Sequence, residues 1–202
     1  MEKYASMEIT ANGRRCDFRM IPTDEADKPA DLVIFAVKAT ALAQAMEDAA
    51  HQIGENTAVI SLLNGITSET LLEKRFGDRN IVYCVAQGMD AVKQGGALRY
   101  TVMGQLCVGI PANAPQKRDA FEAVCALFDR TGLPYVREEN IMHRMWSKFM
   151  LNVGVNQVVM VHEGTYGTIQ QPGKPHEMMI AAMREVLELS KHEGVPIAEE
   201  DL

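Results

Sequence analysis

The stretch DLVIFAVKATALAQAMEDAAHQIGENTAVISLLNG, residues 31–65, decides the fold. Its flanks, residues 31–38 and 57–63, are continuous apolar runs rich in Val, Ile and Leu, the pattern of parallel strands buried on both faces. Between them, residues 39–52 are alanine-rich and read as a helix. The unit then repeats. Asn64-Gly65 closes the second strand, and Thr67 or Ser68 is placed to cap a helix reaching about Phe76. Residues 80–86, NIVYCVA, give a third strand, and residues 97–103 and 105–110 read as two more, separated by Gly104. A parallel sheet with an antiparallel extension is the natural assembly. Upstream, residues 7–21 alternate around Ala11-Asn12-Gly13, and an Asn-Gly pair supplies the positive φ angles of a tight hairpin.

Downstream, residues 111–116 read as a loop and residues 117–131 as an amphipathic helix stopped by Gly132, with a last short strand over residues 133–136. From Asn140 the pattern turns wholly helical. A central helix runs to about His162, a turn with Gly and Pro covers residues 164–175, and a helix over residues 176–193 is closed by Gly194. The change places a domain boundary near Glu138. The fold class expected is α/β, with a doubly wound sheet followed by an all-helical C-terminal domain.

Composition narrows the classes of function. The chain has 202 residues, 47% hydrophobic, with a net charge of -7 and a pI near 5.3, which suits a soluble globular protein of one large or two small domains. No basic stripe is present to neutralise phosphates, which argues against nucleic acid as a partner. Cys16, Cys84, Cys107 and Cys125 form no CxxC pair and read as reduced, buried thiols. The first residues lack the apolar core of a signal peptide, and no run approaches the roughly 18 apolar residues of a membrane span. A cytoplasmic location, with no membrane partner, is the expectation.

Chemistry concentrates in MWSKFMLNVGVNQVVMV, residues 145–161. This segment is apolar almost all round except for Lys148, Asn152 and Asn156, which a helix stacks on one face. Burying an unpartnered amide costs on the order of 2–7 kcal/mol, and a charge costs more. Two readings stand. In one, the asparagines bond to neighbouring backbone and Lys148 snorkels outward. In the other, the row is a substrate site, with a lysine proton donor and two amides that orient. Lys38 and Asn64 are each the first polar group after an apolar strand, where an open α/β sheet takes its ligand; alternatively, Lys38 is a solvated strand end and Asn64-Gly65 only a turn. The sequence contains no GxGxxG, GxxxxGK[ST], GxSxG or HExxH. His162-Glu163-Gly164 and His192-Glu193-Gly194 sit at helix ends, where His and Gly are expected, and no metal site is read from them.

Taken in order, several landmarks resemble the ketopantoate reductases, the 2-dehydropantoate 2-reductases of pantothenate and coenzyme A biosynthesis. They are ADLVIFAVKA with Lys38, SLLNGI with Asn64, GGALRYTVMGQLCVGIP, MWSKFMLNVGVNQ with Lys148, Asn152 and Asn156, the TYG at Thr165, Tyr166 and Gly167, and AAMREVLELSKHEGV. The resemblance implies an NADPH-dependent reduction of a 2-oxo acid. In it Lys148 would be the general acid, and Asn152, Asn156 and Tyr166 would hold substrate. Asn64 would stand at the junction of nicotinamide and substrate, and Lys38 would contact the NADP(H) cofactor. It also implies a homodimer. Partial burial would lower the pKa of such a lysine from about 10.4 toward the working range.

The chain also departs from the family pattern. Family members open with a strand and a GxGxxG turn that seats the pyrophosphate, and they continue into helices carrying a serine and a glutamate of the active site. The resemblance therefore implies truncation at both ends. Residues 1–138 would be a partial dinucleotide-binding, Rossmann-like domain lacking its first strand and glycine-rich loop. Residues 139–202 would be the start of a helical substrate and dimerisation domain. Gln157 stands where many members have proline, and Tyr166 where some have a polar amide. Two other expectations stay open. One is a noncatalytic remnant acting as a dimeric binding or structural protein, since an uncovered strand edge favours association. The other is a related 2-hydroxyacid dehydrogenase with another substrate.

Overall fold

The structure is a computed structural model, and it describes residues 7–22, 25, 28–195 and 197–202. The described residues fall into two compact units, one drawn from Met1–Leu63 and Ser68–Glu139, the other from Asn64–Thr67 and Asn140–Leu202.

The first unit is built on two sheets. The hairpin strands β1 (Thr10–Ala11) and β2 (Arg14–Arg15) turn through Asn12 and Gly13, both at positive φ as the Asn-Gly pair predicts. The main sheet takes β3 (Leu32–Phe35), β4 (Ala58–Ser61), β5 (Ile81–Gln87), β8 (Gln105–Gly109) and β9 (Tyr135–Arg137), side by side in that order. Strands β3, β4 and β5 are parallel, β8 runs antiparallel to β5, and β9 is parallel to β8. This is the parallel sheet with an antiparallel extension that the apolar runs predict.

The region after β5 differs from expectation. The segment read as a strand over residues 97–103 is only β7 (Ala97–Arg99), and it joins a small second sheet with β1 and with β6 (Val92–Gln94). No apolar pattern marks β6, whose residues are all exposed. Thr101 and Val102 instead donate their N–H groups to Asp90 Oδ1, both at 2.8 Å, which fixes an irregular corner.

Two further corrections concern residues 31–52. The first strand is not buried on both faces: β3 is the edge of the sheet, and Ile34 is 47% exposed. The alanine-rich segment is not one helix but α1 (Leu42–Asp48) between two 3-10 turns, Ala39–Ala41 and Ala50–Gln52. No side chain caps any of the three pieces, and Leu42 is the sole buried residue among them, so little packing drives a longer helix.

Helix α2 (Ser68–Phe76) packs on β4 and β5, and Phe76 stacks on Phe35 at 6.3 Å. On the other side, α3 (Arg118–Thr131) lays Ala120, Phe121, Val124, Cys125 and Phe128 against Ala58, Ile60, Val82, Cys84 and Val108. Gly132 ends α3 at φ 67, the left-handed stop expected from sequence. Cys84, Cys107 and Cys125 are buried and in no disulfide, whereas Cys16 is only half-buried.

The second unit is helical. Asn140 caps α4 (Ile141–Leu151) by accepting from the His143 N–H at 3.2 Å. The chain continues through a π-helical segment, Asn152–Asn156, into α5 (Gln157–Val161). The turn expected over residues 164–175 contains a further helix, α6 (Tyr166–Gln170), and α7 (Lys174–His192) follows. Trp146, Met150, Met183, Val186, Leu187 and Ile197 form the core, with Ile66 packed against it. Among the described residues no helix is long and apolar enough to cross a membrane.

Candidate functional site

The π-helical segment sits within the lysine and asparagine row. A π segment widens the turn by one residue, a distortion frequent at functional sites. It is held where the backbones of two helices meet. A Cβ on Gly154 would lie 2.3 Å from Met183 Cγ and 3.1 Å from the Met179 carbonyl oxygen, so only glycine permits this approach. Gly154→Val is therefore expected to cost about 1–3 kcal/mol through overpacking. A urea unfolding curve checks this, and an unchanged midpoint would mean that Met183 swings clear.

Lys148 and Asn152 are half-buried and Asn156 is exposed. The row expected along a buried helix thus grades into a surface. The Asn152 N–H donates to the Lys148 carbonyl, setting the two residues one turn apart. Asn156 Nδ2 donates to Asn152 Oδ1 at 3.2 Å, and Tyr166 Oη donates to Asn156 Oδ1 at 3.4 Å. The asparagines therefore bond to each other and to Tyr166 rather than to neighbouring backbone. Tyr166 is 61% exposed. It is brought to Asn156 by α6, whose first turn is fixed by Thr165, its N–H donating to Thr168 Oγ1 at 3.0 Å.

Asn64 is exposed and belongs by its contacts to this helical unit, in the short loop whose Ile66 packs on the core. Lys38 lies in the other unit, exposed, just past the carboxyl end of β3. The structure thus joins Asn152, Asn156 and Tyr166 by hydrogen bonds, carries Lys148 on the same helical stretch and Asn64 in the same unit, and carries Lys38 on the first unit. Among the described residues no group of three or more His, Cys, Asp or Glu side chains could hold a metal ion.

The sequence reading missed a buried polar cluster in the first unit. Ser68 is not an exposed cap but a buried helical residue whose hydroxyl bridges Ser61 and Glu69. Glu69 is 2% exposed, and burial pushes its carboxyl up to about 7 despite the hydrogen bonds that favour the charge. Glu73, one turn further, receives Lys117 Nζ at 2.8 Å and Tyr83 Oη at 3.1 Å. Burial and the adjacent Glu73 carboxylate push the Tyr83 phenol well above its ordinary range. Two serines flanking the Asn64 loop were the available signal, but a hydroxyl at a helix start reads first as a cap.

Comparison with known proteins places the chain in a family. The family described as Ketopantoate reductase PanE/ApbA matches residues 3–113, and its C-terminal counterpart matches residues 140–202. The 2-dehydropantoate 2-reductase of Streptococcus pyogenes serotype M6 is 27% identical over 183 residues, 91% of this chain. The chain spans 59% of that relative's length. Among solved structures, 2-dehydropantoate 2-reductase from Geobacter metallireducens GS-15 superposes with a TM-score of 0.81 at 19% identity, covering 99% of this chain and 69% of its own. A D-mandelate dehydrogenase solved with NADH and anilino(oxo)acetate gives 0.78 at 20% identity, covering 95% of this chain and 62% of its own. The two matched segments together take in most of the sequence, including Lys38, Asn64, Lys148, Asn152, Asn156 and Tyr166, and the chain belongs to the ketopantoate reductase family.

Proposed function

We propose that this chain carries the substrate-side machinery of an NADPH-dependent 2-oxo acid reductase that converts 2-dehydropantoate to pantoate. The observation that carries this reading is the direction of the hydrogen bonds in the row. Tyr166 donates to Asn156 and Asn156 donates to Asn152, a line that engages the Asn152 carbonyl and makes no use of its two NH2 donors. With the Lys148 ammonium beside it, the row presents donors, and a 2-oxo acid presents only oxygen acceptors at its reacting end.

In the reaction, Lys148 gives its proton to the oxygen of the emerging alkoxide, while Asn152 and Asn156 fix the acid's orientation. The residues also fit the nicotinamide cofactor. Lys38 and Asn64 follow the carboxyl ends of the parallel strands β3 and β4, where open α/β sheets take dinucleotides. Lys38 would hold the cofactor and Asn64 would stand between it and the substrate. When bound, NADPH supplies the hydride. The first unit is then the cofactor side, the second the substrate and dimerisation side, and a homodimer, checked by light scattering, is part of this reading.

Calorimetric titration of the chain with NADPH, with NADH as control, tests it. Micromolar NADPH binding is expected, followed by NADPH consumption when 2-dehydropantoate is added. No binding at millimolar cofactor would favour a noncatalytic, associating protein. A second reading, a 2-hydroxyacid dehydrogenase for a bulkier acid, is favoured by the exposed aromatic ring of Tyr166 at the end of the row. A panel of aliphatic and aryl 2-oxo acids separates the two.

A further inference from the structure

At the carboxyl end of β4 a line of hydrogen bonds runs inward. The Leu63 N–H donates to Ser61 Oγ at 3.2 Å, Ser61 Oγ donates to Ser68 Oγ at 2.9 Å, and Ser68 Oγ donates to Glu69 Oε2 at 2.9 Å. Ser61, Ser68 and Glu69 are all buried. Every donor in the line points toward the carboxyl group. The two serines bracket residues 62–67, so their bond closes the base of the loop that carries Asn64. Packing alone would be served better by apolar residues, since a buried polar group is costly unless its bonds are all made.

We propose that Glu69 is a positioning residue for Asn64: acting through Ser68 and Ser61, it holds the loop that presents this amide, and holds it more tightly as a carboxylate than as an acid. The functional half of this inference rests on the reading of Asn64 given above. A carboxylate is a pure acceptor and ends the donor line with a charge-assisted bond, about twice as strong as a neutral one. A protonated Glu69 carries a donor of its own and competes with that direction.

The surroundings put the change of charge close to neutrality. The ionisable groups that act on Glu69 are Glu73 on its own helix and Tyr83 on β5, and Lys117, in the turn before α3, reaches this cluster through Glu73. Glu73 repels the charge on Glu69, and the Lys117 ammonium is paired with Glu73. Burial is the largest influence and pushes Glu69 up to about 7 from an ordinary 4.5. Because the folded value lies above the unfolded one, the stability that the neutral acid contributes is complete below about pH 4.5 and is lost as pH rises through about 7. The loop moves the other way, tightening as the carboxylate forms. A carboxyl that only filled the core would not separate these two trends.

Hydrogen exchange at the Leu63 amide, followed by NMR in the 202-residue chain and corrected for intrinsic pH dependence, reads the loop directly. Between about pH 5.5 and 8.5 its protection is expected to rise about fivefold, the ratio expected when a neutral hydrogen bond becomes charge-assisted, while the melting temperature falls. Glu69→Gln, an uncharged acceptor, is expected to hold protection at the low-pH level throughout, and Ser68→Ala to abolish it at every pH. Flat or falling protection in the wild type overturns the proposal, as does a rise that survives in Glu69→Gln. The wild-type curve decides the matter even where a variant fails to fold. If NADPH binds, its affinity is expected to follow the same pH course. Failure to bind with this exchange pattern intact would overturn the enzymatic reading and support the anchoring of the loop.

Discussion

Lys117→Ala is expected to destabilise the first unit by about 3–5 kcal/mol, the cost of removing one partner from a buried ion pair. Lys117 is 2% exposed although it is a lysine. Its ammonium donates to Glu73 Oε1 at 2.8 Å and to the Asp78 carbonyl, and lies 5.6 Å from the centre of the Tyr83 ring. Without it the Glu73 carboxylate keeps only the Tyr83 hydroxyl, the Asp78 carbonyl loses a donor, and the space of a long alkyl stem opens between α2 and α3. Urea unfolding by circular dichroism measures the loss. Lys117→Met keeps the stem and removes the charge, so its cost isolates the stranded carboxylate. The double variant Lys117→Met with Glu73→Gln is expected to recover most of it, because an apolar or neutral replacement of a whole buried pair is often nearly neutral. A loss below about 1 kcal/mol for Lys117→Ala, the level of a surface pair, would mean that water reaches this site and that the pair contributes little.

The contrast between that network and the strands shows what could be read from sequence and what could not. Strands β4, β5 and β8 are legible because continuous runs such as AVIS and IVYCV have no other way to hide. The Asn12-Gly13 hairpin, the Gly132 stop and the change to helices at Asn140 are legible because each is a local choice of backbone conformation. The exposure of Ile34 is not, since burial on both faces depends on a neighbour that the strand's own residues do not specify. Nor is β6, whose three exposed residues are drawn into a sheet only by pairing with β7. The π-helical segment escapes for a related reason. The need for Gly154 arises from Met179 and Met183, on a helix distant in sequence.

The candidate site divides along the same line. That Asn152 and Asn156 would be neighbours follows from spacing, and they are hydrogen-bonded. That their amides are turned by Tyr166 does not follow, because a separate short helix brings the phenol to them. Nothing in the local pattern around Glu69, Glu73 and Lys117 marks them as members of one cluster. The burial of Glu69 and Lys117, with Glu73 half-buried beside them, becomes visible only once the helices and strands have packed.

Lys148→Ala is expected to lower turnover of a 2-oxo acid with NADPH by about 10²- to 10⁴-fold, the usual contribution of a positioned general acid. Its melting behaviour is expected to stay close to wild type, since Lys148 is half-buried and the core of the helical unit is carried by Trp146, Met150 and Met183. The reasoning rests on direction and charge. The asparagine row offers donors, and the lysine is the member of the row that can both attract an anionic oxygen and release a proton to it. Lys148→Arg sharpens the test. A guanidinium keeps the positive charge but is not a proton donor near neutral pH, so the arginine variant is expected to preserve substrate binding while losing turnover, a fall in kcat with little change in KM. If instead KM rises in both variants and kcat holds, Lys148 is an anchor for the substrate carboxylate and the proton comes from elsewhere. Turnover retained by Lys148→Ala would remove the lysine from the mechanism altogether, leaving the row as a polar seam of the helix.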